Sequence, residues 1–298
     1  MPWSTRLTGF PSQAQAGVCS TTTTVASAAE ATALGSSCQI VKGDVIVTSA
    51  AVGSVDLGGL QSITGDLKLT DNGQVTTFAG SSLSSIGGAF TLDNVTVLST
   101  LSFPMLGSVG SISWTSLPAL GSLTFTRGVS KASSVVISDT FLSSLDGLDI
   151  QSLATMDINN NRRLTDFTSQ LGNLSDYLNI QANGQNLKVS LPNLIWIANM
   201  TIANVSDFSA PSLVTVNGSA RFDSNYFTSF SAPNLTSTSS GDISFVGNAA
   251  LTNVTFPVLT SIGGGLLIAN NTDLDEINGF PKVKSIGGAV KLRGNFTE

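Results

Sequence analysis

Histidine is absent from this 298-residue sequence, and charged residues make up only 11% of it. Without histidine the chain cannot form a Ser-His-Asp triad, a Cys-His pair or an imidazole metal site. The formal net charge is −6, so binding to a phosphate backbone has no electrostatic source. We therefore expect no catalytic residues, no metal, no cofactor and no nucleic-acid partner.

Long apolar runs are also missing. No stretch of 18 apolar residues occurs, so the sequence predicts no membrane-spanning helix. The low charge does not indicate disorder, because the mean hydropathy is +0.28 and 41% of residues are hydrophobic. That content is sufficient for a large core. Ser (43) and Thr (32) together form a quarter of the chain.

Cysteine is scarce, with only Cys19 and Cys38, which lie 19 residues apart. A disulfide is the favoured interpretation, and two free thiols in a cytosolic protein are the alternative. Nine Asn-x-Ser/Thr sequons favour a secreted protein modestly, since about five would arise by chance in so hydroxyl-rich a chain. We expect glycans at eight of them: Asn94, Asn173, Asn199, Asn204, Asn217, Asn234, Asn253 and Asn270.

The first 18 residues do not fit the rest of the chain. Ala14, Gln15 and Ala16 match a small-x-small signal-peptidase site, but residues 1–13 contain no apolar run for a signal peptide. We interpret residues 1–18 as a disordered segment or an incorrectly assigned start. A chance match is the alternative.

The strongest signal is an internal repeat, in which an apolar-x-apolar motif recurs every 20–24 residues. The two apolar positions are Val45/Val47, Leu67/Leu69, Phe90/Leu92, Ile112/Trp114, Val135/Ile137, Met156/Ile158, Leu178/Ile180, Met200/Ile202, Ala220/Phe222, Ile243/Phe245, Leu266/Ile268 and Val290/Leu292. Glycine often precedes the motif, and a Pro-containing signature follows later in many units. No run of helical length and periodicity occurs within the repeat.

These features predict an all-β fold, a parallel β-helix or solenoid of about twelve coils that is about 55 Å long. Residues 19–39 form an N-terminal cap with a short helix over Thr24–Leu34, for which Thr24 is the candidate N-cap. Residues 40–298 form the solenoid. We expect the natural protein to continue past Glu298, because this sequence contains only the first strand of the last coil. A kink near 125–175 is an open alternative to a single rod.

Asparagine follows the strand of most coils by two or three residues. We expect the asparagines that lie three positions after the strand to point inward and to form a hydrogen-bonded ladder that is close to complete. This inward set is Asn72, Asn161, Asn183, Asn225, Asn248, Asn271 and Asn295. Asn94, Asn204 and Asn270, two residues past the strand, should point outward and be glycosylated more fully than Asn295.

The middle residue of each motif should point outward and form one exposed stripe. A continuous polar part of this stripe is a candidate binding surface for an extended glycan or a protein strand, and an ordinary solvated sheet is the alternative. Its members are Asp157, Asn179, Thr201, Arg221 and Ser244. Asp157 and Arg221 lie three coils apart, about 14 Å, which is too far for an ion pair with each other, so we expect each to be free to contact a partner.

With these residues in view, the chain resembles the receptor L-domain type of β-helix. More closely, it resembles the fungal GPI-anchored cell-wall organisation proteins of the extracellular-mutant and sporulation-specific group. The segments that carry the likeness are 100–104 (TLSFP), 111–120 (SISWTSLPAL), 131–138 (KASSVVIS) and 157–162 (DINNNR). The resemblance implies a secreted, N-glycosylated protein at the cell surface or in the wall, without known catalysis. It also implies a GPI anchor in the full-length protein.

The resulting functional prediction is a non-enzymatic surface glycoprotein that supports cell-wall organisation and integrity. Its expected partners are wall polysaccharides or wall and membrane proteins. One alternative is a polysaccharide-active β-helix enzyme, because residues 271–273 (NTD) resemble a polygalacturonase motif. Another is an adhesin or receptor for a protein or glycan ligand. Asp273, Asp275 and Glu276 could suggest Ca²⁺, but we interpret them as a solvated edge.

Overall fold

A computed structural model describes Gly17 and residues 19–297. Strands and turns dominate the described chain, and helix α1 spans Ala28–Ser37 near its start. In chain order the strands are β1 (Thr23–Val25), β2 (Ile40–Val41), β3 (Val45–Val47), β4 (Gly53–Asp56), β5 (Ser62–Ile63), β6 (Leu67–Thr70), β7 (Val75–Ala79), β8 (Ser85–Asp93), β9 (Thr100–Ser102), β10 (Ser108–Leu117), β11 (Ser122–Thr124), β12 (Ser134–Thr140), β13 (Ser152–Asn159), β14 (Asp166–Thr168), β15 (Asn173–Gln181), β16 (Lys188–Ser190), β17 (Trp196–Ala203), β18 (Asp207–Ser209), β19 (Thr215–Val216), β20 (Ala220–Asp223), β21 (Ser229–Ser231), β22 (Ser237–Thr238), β23 (Ile243–Val246), β24 (Asn253–Thr255), β25 (Ser261–Ile262), β26 (Leu266–Ala269), β27 (Ser285–Ile286) and β28 (Val290–Arg293).

The repeated motif forms the main sheet. Each apolar-x-apolar strand pairs in parallel with the same strand of the next coil, as in Val45 with Leu67 and Leu67 with Phe90. The pairing continues without interruption to β28, within a sheet of 19 strands. The predicted parallel β-solenoid of about twelve coils is therefore confirmed. Strand β1 adds one further strand to the sheet by pairing with β3.

The other sides of the solenoid are less regular. Short strands precede the motif strands, and in β8, β10, β13, β15 and β17 the two merge into one long bent strand. A third side consists of separate small sheets, β4-β7-β9-β11, β14-β16-β18 and β21-β24. It is interrupted between β11 and β14, while the main sheet passes through this region unbroken.

The interior is filled by the apolar motif residues and by two aromatic clusters. In the first, Trp114 stacks on Phe125 at 5.8 Å between ring centroids and meets the edge of Phe90 at 5.6 Å. In the second, Phe222 stacks on Phe245 at 4.8 Å. Phe222 and Phe245 stack because they occupy the same position on successive coils, and a parallel sheet places identical positions above one another.

The corner after each motif strand has a fixed backbone conformation. Two residues past the second apolar position, φ is positive in ten successive coils. The residues at this position are Asp71, Asn94, Ser116, Asp139, Asn160, Ala182, Asn204, Ser224, Gly247 and Asn270. Asn, Asp and Gly tolerate this left-handed conformation best, which explains why they are frequent there. The turn directs the following side chain into the interior.

The predicted asparagine ladder exists, but it is interrupted. The Oδ1 atom of Asn248 accepts hydrogen bonds from the backbone N–H and the Nδ2 atom of Asn225, at 2.8 and 3.0 Å. Asn271 accepts the same pair of bonds from Asn248. A second run joins Thr140, Asn161 and Asn183. In three other coils the corner position is occupied by an apolar residue instead: Val95, Leu117 and Val205.

The coil that β28 begins departs from two predictions. Leu292, expected in the interior, is 46% exposed, and Asn295, expected in the ladder, is also exposed. The reason is that this coil is not closed within the described residues, so no layer covers its inner side. The assignment of Asn295 as a buried ladder residue is wrong for this structure.

The N-terminal cap differs from the prediction in its boundaries. Thr24 lies in strand β1, and Ser27 is the N-cap of helix α1. The Oγ atom of Ser27 accepts a hydrogen bond from the backbone N–H of Glu30, while Glu30 accepts one from Ala26. This arrangement is close to a capping box and sets the start of the helix. The prediction for residues 1–18 falls almost entirely outside the described residues.

A disulfide joins Cys19 and Cys38, with 5.7 Å between their Cα atoms. It connects the start of the described chain to the C-cap of α1, and the Cys38 side lies in the core. Within the described residues, no helix is long and apolar enough to cross a membrane.

Candidate functional site

The outward side of the main sheet, which we call the outer face, contains the candidate binding stripe. The sheet register places Asp157, Asn179, Thr201, Arg221 and Ser244 directly beside one another on five successive coils. The first three are half-buried and Arg221 is exposed. Their side chains therefore form one row on the outer face, as the alternation of a strand requires.

The prediction of an unbroken exposed stripe is wrong at Ser244, which is only 7% exposed. Its register partners on the two neighbouring coils are Arg221 and Leu267, both with longer side chains. The small hydroxyl side chain lies below them at the bottom of a recess of about 290 Å³. The polar row at the surface therefore ends at Arg221.

Asp157 is not free, contrary to the sequence argument. Its Oδ1 atom accepts hydrogen bonds from Asn159 Nδ2 and Asn179 Nδ2, both at 2.8 Å. Asn159 in turn accepts a hydrogen bond of 2.6 Å from the hydroxyl of Ser138. Among the described residues, the second oxygen of Asp157 makes no hydrogen bond, so the network presents one carboxylate oxygen outward.

The recess beside Ser244 contains a perturbed carboxyl group. Burial raises the pKa of Asp223 above its ordinary value, and the positive charge of Arg221 opposes this shift. These two groups do not form an ion pair, since the single salt bridge within residues 19–297 joins Lys68 and Asp66. The Arg221 guanidinium is therefore available to an external group.

Two aromatic residues on the outer face were missed by the sequence argument. Tyr177 lies beside the polar row and is 36% exposed, and Trp196 on the next coil is half-buried. Burial raises the pKa of Tyr177, and the negative charges of Asp157 and Asp176 raise it further. A sequence signal existed, because both aromatics precede an inward-facing apolar residue and so had to point outward.

The features that suggested an enzyme or a calcium site lie elsewhere. Asn271 is buried, and its side chain is used in the ladder, whereas Asp273 is exposed. Asp273, Asp275 and Glu276 line an open recess of about 470 Å³. Across the part of the chain that the structure describes, no three acidic or cysteine side chains are placed to hold one metal ion.

All eight sequon asparagines that we expect to be glycosylated are accessible. Asn204 is half-buried, and the other seven are exposed. Asn94, Asn204 and Asn270 occupy the left-handed corner, where the predicted outward direction is confirmed. Asn173 and Asn199 lie on the outer face, in β15 and β17. Glycosylation at these positions remains a prediction.

Comparison with known proteins gives related sequences but no related structure. The chain is 40% identical to a "cell surface GPI-anchored protein" of Arthroderma benhamiae, over 88% of this chain and 67% of that protein. It is also 40% identical to "protein ecm33" of Aspergillus fumigatus, over 88% of this chain and 71% of the relative. The "sporulation-specific protein 2" of Saccharomyces cerevisiae is 36% identical over 88% of this chain and 52% of its own length. No protein-family model matches the chain, and neither does any solved structure.

Proposed function

Because this chain belongs to the fungal family of ecm33-like and sporulation-specific cell-surface proteins, we propose that it is a non-enzymatic surface glycoprotein that supports the organisation and integrity of the cell wall. The observation that carries this proposal is the 40% identity over 88% of the chain to relatives named as GPI-anchored surface and ecm33 proteins. These relatives place the protein outside the cell, at the plasma membrane surface or in the wall.

The absence of histidine from the sequence supports a role without catalysis. The relatives are named as surface and wall proteins, and the polygalacturonase-like residues are divided between the buried ladder and the surface. The secreted protein should release no reducing sugar from wall glucan, chitin or pectin. Release that is lost on boiling would contradict the proposal and favour the enzyme alternative.

We place the contact with a wall partner on the outer face, centred on the Asp157 network. Asp157 presents one carboxylate oxygen, and the half-buried side chains of Asn179 and Thr201 extend the polar row on the next two coils. Hydroxyl, amide and carboxylate groups at a regular spacing of about 4.8 Å suit an extended glycan or a protein strand. Arg221, which forms no salt bridge within residues 19–297, adds a cation at the end of this row.

Replacing Asp157, Asn179 and Arg221 together by Ser tests this contact in the fungus. We expect increased sensitivity to a wall-binding dye, approaching that of a gene deletion, with unchanged secretion and melting temperature. A matched control carries Asp56→Ser, Gln74→Ser and Lys131→Ser, which alter one acidic, one amide and one basic side chain, all exposed and away from the row. Wild-type sensitivity of the first variant would show that the row is only solvated surface. A deletion strain with normal wall resistance would contradict the broader proposal.

A further inference from the structure

Two sequon asparagines and two surface aromatic residues form reciprocal pairs on neighbouring strands. In the parallel register of β15 and β17, Asn173 lies opposite Trp196, and Tyr177 lies opposite Asn199. Strands β15 and β17 thus each contribute one asparagine and one aromatic residue to these two pairs. Directly opposite residues in a parallel pair are separated by about 4.8 Å, so their side chains are neighbours on the outer face.

Surface aromatic residues are rare enough for this arrangement to be informative. The sequence contains three Trp and two Tyr, and Trp114 is fully buried. Tyr177, Trp196, Tyr226 and Phe141 reach the surface within the described residues, and Phe280 and Phe296 are partly exposed. Of these six, Tyr177 and Trp196 lie directly opposite a sequon asparagine. The coils on either side carry Thr155 and Thr215 at the matching positions, so the sheet itself does not require an aromatic residue there.

The surroundings of Asn199 show how such a residue could carry a sugar without losing its own contacts. Its Oδ1 atom accepts a hydrogen bond of 3.1 Å from the backbone N–H of Ser219, and its Nδ2 atom donates to the Asp176 carbonyl at 3.3 Å. One of the two hydrogens on Nδ2 is sufficient for that donation. A side chain at Gly218 would collide with Asn199 Oδ1, so this glycine leaves space for the asparagine.

We propose that Asn173 and Asn199 carry N-linked glycans whose first sugars pack on Trp196 and Tyr177. Modification joins Nδ2 to C1 of the first N-acetylglucosamine of a lipid-pyrophosphate-linked oligosaccharide; one amide proton is lost, and the lipid pyrophosphate is the leaving group. The apolar C–H side of that sugar then covers the ring on the adjacent strand. This inference rests on the extracellular location in the proposed function. It also explains why two aromatic residues occur beside the polar row.

Glycopeptide mass spectrometry and two double-mutant cycles test the proposal on the full chain, secreted from a eukaryotic host. One cycle combines Asn173→Gln with Trp196→Thr, and the other combines Asn199→Gln with Tyr177→Thr. We expect both sites to be occupied and each cycle to show a coupling of about 2–4 °C in melting temperature. The coupling should persist after the glycans are trimmed to a single N-acetylglucosamine, because only the first sugar touches the ring.

Asn253 provides the matched control, because its register partner in β21 is Ser229 rather than an aromatic residue. The cycle of Asn253→Gln with Ser229→Thr should show no coupling. Unoccupied Asn173 and Asn199, or occupied sites without coupling, would overturn the proposal. Equal coupling in protein made in bacteria, which carries no glycans, would also overturn it, since the contact would then belong to the amide alone. Sensitivity to wall-binding dye, measured separately, reports on the proposed function.

Discussion

The two halves of the solenoid have the same coil structure but differ in amino-acid composition. Only two of the 21 asparagines precede residue 150, and one of nine sequons does. At the corner position the first half has two apolar residues, Val95 and Leu117, beside the hydrogen-bonded Asn72 and Thr140. The second half has one apolar corner, Val205, and its other corners are hydrogen-bonded asparagines such as Asn161 and Asn248. The left-handed residue before this position is present in both halves. The turn therefore defines the coil, and either packing or hydrogen bonding can fill the space behind it.

Apolar corners and hydrogen-bonded corners differ in how they tolerate substitution. An apolar corner loses contact area in proportion to the atoms removed. A ladder residue that is removed leaves buried N–H and C=O groups on the neighbouring coil without partners, which costs more than the bond itself contributed. Most corners of the second half should therefore respond to polar changes, whereas Val95 and Leu117 in the first half should respond to changes of volume.

The largest effect is expected in the aromatic cluster of the first half. Trp114→Ala should lower the free energy of unfolding by about 3–5 kcal/mol, because the side chain is fully buried between Phe90 and Phe125. Urea unfolding measures this loss. Trp114→Phe is the control and should cost much less, since the indole N–H has no partner among the described residues. An equal loss in both variants would contradict volume as the main cause.

Removal of the disulfide should affect the first half alone. Replacing Cys19 and Cys38 by Ala should cost about 3 kcal/mol on the chain-entropy account of a loop of this length. In a stacked array each coil contacts only its neighbours, so hydrogen exchange should increase around α1 and β1–β6. The ladder from Asn225 to Asn271 should keep its protection. Loss of protection throughout the chain would show that the halves unfold as one unit.

The ladder provides the corresponding test in the second half. Asn248→Ala leaves the Asn225 backbone N–H and the Phe222 carbonyl without their partners. We expect a loss of about 2 kcal/mol in the free energy of unfolding. Asn253→Ala, an exposed change in the same region, should have an effect close to zero in protein made without glycans. Equal effects of the two changes would mean that the ladder does not stabilise this half.

A smaller, stabilising effect is expected at the left-handed corner residue, which is present in both halves. Ala182 has a φ of 52°, although an L-residue without a polar side chain is disfavoured there. Ala182→Gly should raise the free energy of unfolding by about 1 kcal/mol. The same change at Ala89, where φ is not positive, should destabilise or have no effect, and thermal melting compares the two. Destabilisation by Ala182→Gly would show that the turn is not under strain.

The smallest effects concern the pH dependence of stability. An acidic residue in the first half and one in the second half should affect stability in opposite directions. The Lys68 side chain and the Ala89 N–H lower the pKa of Asp66 below its ordinary value of 3.8, so its contribution is lost as the pH falls through the lowered value. Burial raises the pKa of Asp223, so stability is lost there as the pH rises through the raised value. Asp66→Asn should therefore destabilise at pH 7, and Asp223→Asn should stabilise. Both changes should be under about 1 kcal/mol in urea unfolding between pH 3 and 7.

Much of the architecture could be predicted from the repeat itself. The spacing of apolar pairs specified the strands, their parallel register and the inward and outward sides, because alternation within a strand is fixed by geometry. Strand β1 was missed since Thr23 occupies the first apolar position and no glycine precedes it. The helix start was misplaced because Thr24 and Ser27 are both suitable caps, and only the contact with Glu30 distinguishes them.

The candidate site was less predictable because it depends on neighbours in other coils. Ser244 has the expected orientation, but its burial is determined by the size of Arg221 and Leu267 beside it. The hydrogen bonds to Asp157 depend on the rotamers of Asn159 and Asn179, which the pattern does not specify. The asparagine–aromatic pairs required the exact alignment of β15 with β17, including the register shift between Leu174 and Tyr177.

The parallel stacking of coils has a mechanical consequence for a protein held at a surface. Hydrogen bonds between coils run along the rod axis, so tension on the chain opens them one coil at a time rather than all together. Each coil of about 22 residues adds about 4.8 Å to the rod but has a contour length of about 75 Å once extended. Peeling one coil would thus lengthen the molecule by about 70 Å at nearly constant force. The Cys19–Cys38 bond prevents this extension in the segment that it closes, so under load the coils beyond Cys38 should unwind before that segment.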